Sequence, residues 1–171
     1  MPDTMKRYIF TVTATLLCCI SILCAACCAV EVAAKVGAKA PDFSLSTIDG
    51  DTLTLSELRG QPVVLTFWNT QCGWCLYQMP FFQEAHEEIG QNVRIVAIDI
   101  GESGSLIREF ADYFGFTFTF ALDYYGSVSN AYNLMGTPTT VLIDSDGIIQ
   151  VIKVGAYLNT GALLNDLNDL K

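Results

Sequence analysis

From Pro41 to the C-terminus, apolar residues recur with two periods, and the changes of period divide the chain into elements. Phe43, Leu45, Leu53 and Leu55 alternate with polar residues on either side of Asp49-Gly50, the pattern of a β-hairpin about a tight turn. Ser56-Glu57-Leu58 reads as a brief helical turn closed by Gly60. Val63–Trp68 (VVLTFW) and Val93–Ile100 (VRIVAIDI) are almost unbroken runs of β-formers, as expected of strands covered on both faces. Between them Cys72–Gly90 reads as a helix interrupted at Pro80, where a backbone donor is lost and a kink is expected. Ser105–Phe114 carries Leu106, Ile107 and Phe110 on one helical face, Thr117–Leu122 reads as a strand, and Ser127–Leu134 as a short helix. Phe114, Phe116, Phe118 and Phe120 are expected to be strand and core packing. Thr139–Ile143 and Ile148–Val154 are strands about the turn Ser145-Asp146-Gly147, and Leu163, Leu164, Leu167 and Leu170 form the stripe of a final helix. Strands alternating with helices predict an α/β domain with a central mixed β-sheet flanked by helices, opened and closed by hairpins.

One stretch breaks this pattern. Tyr8–Val30 contains no charged residue and follows Lys6-Arg7, so much of the 51% hydrophobic content is local to it. A basic start followed by an apolar run reads as an export signal. The run is also long enough to cross a bilayer, which takes about 20 residues. Three fates are open: retention as an anchor with the domain outside the cytoplasm, cleavage after Ala34 behind Val32-Ala33-Ala34, or lipidation of Cys27 at the lipobox-like Leu23-Cys24-Ala25-Ala26-Cys27. Residues 1–34 are therefore read as a signal or anchor segment and 35–171 as one domain. All three fates place that domain outside the cytoplasm, in the periplasm or on the outer face of the membrane.

Charge and cysteine usage narrow the chemistry. The net charge is −9, which disfavours nucleic acid and anionic lipid surfaces as partners. Of seven cysteines, Cys18, Cys19, Cys24, Cys27 and Cys28 lie in the apolar segment, where a cysteine acts as a small hydrophobe. Only Cys72 and Cys75 fall in the domain, too few for a disulfide scaffold.

Cys72-Gly73-Trp74-Cys75 follows a buried strand and opens a helix. Free N–H groups and the positive end of the helix dipole stabilise a thiolate there, so Cys72 is read as the nucleophile. Cys75, one turn inside, is read as the residue that resolves the mixed disulfide. No second cysteine pair accompanies them and the chain has one histidine, which argues against zinc. Haem attachment would need a histidine where Leu76 stands. No metal or separate cofactor is expected, only the redox-active pair itself. Gly136-Thr137-Pro138-Thr139 precedes a strand, and a cis bond there would turn the backbone of Thr137 toward an incoming extended chain. Trp68 is expected to pack beneath the site, Trp74 to flank Cys72 and offer an apolar patch to substrate, and His86 to lie on the surface.

Taken together, Ala40-Pro41-Asp42-Phe43, Asp49-Gly50, Phe67-Trp68, Cys72-Gly73-Trp74-Cys75 with Met79-Pro80, and Gly136-Thr137-Pro138-Thr139 with Leu142-Ile143-Asp144 resemble the thioredoxin superfamily. More narrowly, they resemble its TlpA/ResA-like extracytoplasmic thiol–disulfide oxidoreductases. The resemblance implies a thioredoxin-like fold with an N-terminal β-hairpin, a cis Pro138, and Gly73, Trp74, Thr137 and Pro138 around the cysteines. It also implies exported protein disulfides as substrates, apocytochrome c among them, and an electron donor in the membrane. Departures from the family pattern fall between the cysteines, where Gly73-Trp74 stands in place of Gly-Pro or Glu-Pro, and at two tuning positions. Thr66 stands where thioredoxin has a buried aspartate, and Gln78 where the anchored relatives carry glutamate; neither side chain can act as a base. Water or a more distant acid such as Glu84 would have to take the proton of Cys75. Two other readings compete with this one. Peroxiredoxins share the Ala-Pro-Asp-Phe opening but carry a Pro and a Thr where Leu65 and Asn69 stand. A copper carrier would use two thiolates, with Met79 near but no histidine ligand.

Overall fold

The computed structural model describes residues 34–170. The segment 8–30 with its five cysteines, and the signal, anchor and lipid readings attached to it, lie outside those residues. Among the described residues no helix is long and apolar enough to cross a membrane.

Seven strands form one mixed sheet: β1 (Ser44–Thr47), β2 (Thr52–Thr54), β3 (Val63–Trp68), β4 (Arg94–Ile100), β5 (Thr119–Asp123), β6 (Thr139–Ile143) and β7 (Ile149–Val154). Their spatial order is β2-β1-β5-β4-β3-β6-β7. β3, β4 and β5 run parallel. β1–β2 and β6–β7 are antiparallel hairpins that flank this centre. Among the described residues there are four α-helices: α1 (Gly73–Ile89), α2 (Gly104–Phe114), α3 (Ser127–Ala131) and α4 (Thr160–Asn168).

β3 lies between β4 and β6 and is buried at all six positions, which accounts for its unbroken apolar sequence. Alternate residues feed two cores. Val64, Trp68, Ile95, Ala97, Phe120 and Leu142 face Phe82 of α1, Ile107 of α2 and Leu163 of α4. Leu65, Phe67, Val96, Ile98 and Val141 face Phe43 and the α3 segment with Val128 and Tyr132. The Tyr132 hydroxyl donates to the Pro41 carbonyl at 2.9 Å, which ties the start of the domain to this second core.

The structure departs from the sequence expectations at a few ends. α1 runs unbroken through Pro80, because the carbonyl freed by the proline belongs to Leu76, which is exposed to water. β5 starts at Thr119, because the N–H of Thr117 donates to Gln83 Oε1 at 2.9 Å and leaves the ladder. α3 stops at Ala131, two residues before Asn133 turns to a φ of 49°. Phe118 and Phe120 are core, as expected, whereas Phe114 is exposed and stacks on Phe116 at the end of α2. His86 is only partly exposed and meets Phe118 edge to face at 6.3 Å between rings, so it is not the plain surface residue that the sequence suggests.

Candidate active site

β3 delivers the chain from the core to the end of the sheet, and the turn after it is closely held. Asn69 Oδ1 accepts from the Gln71 N–H at 3.1 Å, and the Asn69 carbonyl accepts from the Cys72 N–H at 3.2 Å. Cys72 then caps α1 with extended backbone angles, and its Sγ accepts from the Cys75 N–H at 3.2 Å. A sulfur at this position sits among free amide donors at the positive end of the helix. A thiolate would be favoured there for the same reason.

Cys72 and Cys75 form a disulfide. They differ in access: Cys75 is completely buried, whereas Cys72 keeps part of its surface and Trp74 beside it is 63% exposed. This asymmetry leaves Cys72 as the sulfur that an outside disulfide can reach.

Trp74 and Gly136-Thr137-Pro138 line one cleft of about 320 Å³ together with Val154 and Leu158. The Thr137–Pro138 peptide bond is cis. The Pro138 carbonyl accepts from the Gly155 N–H at 2.8 Å, which joins the two walls. The cleft is largely apolar, and Val154 and Leu158 are exposed at 64% and 60%. The sequence pattern did not single out these last two, because on a strand and a loop their side chains read as ordinary packing.

The two positions expected to tune the pair are brought together beneath the helix. Thr66 and Gln78 are both fully buried, and Gln78 Nε2 donates to Thr66 Oγ1 at 3.0 Å. Gln78 Oε1 accepts from the Tyr157 N–H at 3.1 Å, and the Thr140 hydroxyl donates to Thr66 Oγ1 at 3.4 Å. The network is neutral throughout. Glu84, considered as a substitute acid, is exposed and accepts from the Thr160 hydroxyl.

Carboxyl groups do approach the site from another direction. Glu102, in the loop after β4, accepts from the Thr70 N–H at 2.7 Å and from the Thr70 hydroxyl at 2.5 Å. Asp99, fully buried at the end of β4, accepts from the Glu102 N–H at 3.0 Å. Burial pushes the Asp99 carboxyl up to about 7, helped by the Glu102 side chain beside it. Burial also opposes ionisation of Glu102, but its bonds from Thr70 outweigh that and hold it below the usual range. Neither acid stands out in the sequence, since the register of β4 against β3 is what brings them to the turn. Among the described residues no group of His, Cys, Asp and Glu is placed to hold a metal ion.

A family model described as the AhpC/TSA family matches residues 36–152. Thiol-disulfide oxidoreductase ResA of Geobacillus kaustophilus (strain HTA426) is 40% identical over 126 residues, which cover 73% of this chain and 72% of that protein. Thioredoxin-like protein YneN of Bacillus subtilis (strain 168) is 37% identical over 128 residues, covering 73% and 75%. Among solved structures, a thiol:disulfide interchange protein of the thioredoxin family from Chlorobium tepidum TLS superposes with a TM-score of 0.71 at 20% identity, covering 81% of this chain and 99% of that one. At that identity the likeness speaks for the fold.

Proposed function

The chain belongs to the AhpC/TSA family of thioredoxin-like proteins and is a thiol–disulfide oxidoreductase, and from that premise we propose that Cys72 and Cys75 carry its redox work outside the cytoplasm, reducing disulfides of exported proteins. The Cys72 thiolate attacks one sulfur of a substrate disulfide, forming a mixed disulfide and releasing the other sulfur as a thiolate that takes a proton from water. Cys75 then loses its proton and attacks the Cys72 sulfur. The second substrate thiol leaves, and the Cys72–Cys75 disulfide remains. Two electrons have passed from the pair to the substrate, and a donor in the membrane returns them.

The observation that carries this reading is the disulfide at the start of α1 with one sulfur accessible and its partner buried. The exported setting is supported by the apolar run 8–30 behind Lys6-Arg7. Trp74, Gly73, Thr137 and Pro138 are proposed to hold an extended substrate segment against the cleft, with apocytochrome c cysteines as one target that the family resemblance suggests.

The test combines trapping with a potential. Cys75→Ser should accumulate a mixed disulfide with a scrambled or oxidised protein substrate, while Cys72→Ser should accumulate none and lose at least about 10³-fold in insulin reduction. Equilibration of the couple against dithiothreitol and glutathione should give a potential near about −270 mV, that of a reductant. A value near about −120 mV would make it an oxidant and reverse the proposed direction.

A further inference from the structure

Two carboxyl groups crowd the turn that leads into Cys72, and neither takes part in the exchange steps above. Ile95, Ala97 and Asp99 alternate on the β4 face shared with Trp68, and Asp99 lies in register with Trp68 on β3. Asp99 Oδ2 and Trp68 Nε1 are both buried without a hydrogen-bond partner among the described residues. Asp99 Oδ1 takes the backbone N–H of Glu102, and both Glu102 oxygens are committed to Thr70, two residues before Cys72. A chain of contacts thus runs from a buried acid through a half-exposed one to the backbone of the active-site turn.

We propose that Glu102 is a positioning residue for thiol–disulfide exchange, holding through Thr70 the turn that presents Cys72, and that the proton on Asp99 governs this hold. The inference rests on Cys72 being the reacting sulfur. While Asp99 is protonated it places no charge beside the Glu102 carboxylate, and Glu102 stays on Thr70. When Asp99 gives its proton to water, two carboxylates share one buried edge. Glu102 has solvent within reach, so it turns outward and releases Thr70. Other charged groups have partners of their own or are exposed. Arg108 of α2 pairs with Asp49 at 3.3 Å, and Glu109 is exposed. Asp123 of β5 gives its carboxylate to Ser127, Val128 and Ser129. His86 of α1 lies at Phe118, and Cys72 and Cys75 are joined.

The test uses the full chain in mild detergent, with Trp74→Phe in every variant so that Trp68 is the remaining tryptophan of the two. Reduction of the Cys72–Cys75 disulfide by dithiothreitol is timed from about pH 5.5 to about pH 8.5, a range that brackets Asp99. The ratio of variant to parent rate cancels the ionisation of the reagent. Asp99→Asn should match the parent at the acid end and exceed it by about threefold to tenfold at the alkaline end, with a midpoint near 7. Trp68 fluorescence should titrate with the same midpoint in the parent and not in Asp99→Asn. In a Thr70→Ala background, which removes the hydroxyl and leaves the N–H bond to Glu102, the tryptophan titration should persist, while the effect of Asp99→Asn on the rate at the alkaline end should shrink below that in the parent. A rate ratio that stays constant across pH, or one that is undiminished in the Thr70→Ala background, would overturn the proposal. A parent protein that cannot reduce insulin would instead refute the protein-disulfide reading, since neither the dithiothreitol rates nor the Trp68 signal depends on a protein substrate.

Discussion

At the scale of single residues, the region beneath the cysteines is settled by an amide in place of an acid. Gln78 donates to Thr66 and accepts from the Tyr157 N–H, so both ends of a fully buried side chain are satisfied without charge. A carboxylate there would keep the acceptor for the Tyr157 N–H and lose the donor to Thr66, a bond worth about 0.5–1.5 kcal/mol. Asp99 is the opposite case, an acid kept where ionisation is disfavoured. Its carboxyl in the folded protein is raised to about 7 from an ordinary 3.8, so between those values the folded state holds a proton that the unfolded state has released. Its stabilising effect is complete below about pH 4 and is lost as pH rises through about 7. Asp99→Asn should therefore raise the melting temperature more at pH 8 than at pH 4, read by thermal melts at matched ionic strength; an increment independent of pH would show that Asp99 does not titrate in the fold. The cysteines were legible in the sequence because their spacing and context are local. Asp99 and Glu102 were not, because in the run VRIVAIDI an aspartate at a strand end carries no mark of what it faces, and only its register with Trp68 reveals it.

At the scale of elements, α1 connects the chemistry to the body of the domain. Its buried face carries Cys75, Gln78, Met79, Phe82 and Ala85, and Phe82 meets Tyr157 edge to face at 5.9 Å just before α4. Phe82→Ala would leave a cavity between α1, the sheet and α4, costing about 3–5 kcal/mol. Chemical denaturation should register this as a lower midpoint with an unchanged slope, and a loss under about 1 kcal/mol would mean that the site collapses to fill the space. The central elements were legible for a physical reason: β3 is buried on both faces, so its limits at Val63 and Trp68 are visible as the limits of an apolar run. Ends set by long-range side-chain bonds were not. Gln83 lies 34 residues from the Thr117 N–H that it withdraws from β5, and no local pattern in the sequence encodes that bond.

At the scale of the whole molecule, charge and connectivity matter most. From Lys35 onward the chain has 16 acidic and 7 basic residues, a field that attracts cationic segments and repels anionic ones. For a lysine-rich disulfide peptide, kcat/KM should fall about threefold or more between low salt and about 0.3 M, as screening shortens the reach of that field to several ångströms. An acidic peptide should show the reverse trend, and equal salt dependence for both would rule out steering. The sign of this field could be read from composition, whereas the cleft beside Trp74 could not, since Val154 and Leu158 join Trp74 and Pro138 only when β7 has paired with β6. The Gln78 amide fastens the residue just before Leu158 to the helix that carries both sulfurs, so the cleft wall and the disulfide belong to one mechanical unit. Thermodynamic reciprocity then makes the cleft a voltage dial: any segment that grips the oxidised and reduced forms unequally would move the couple's potential by the same free energy.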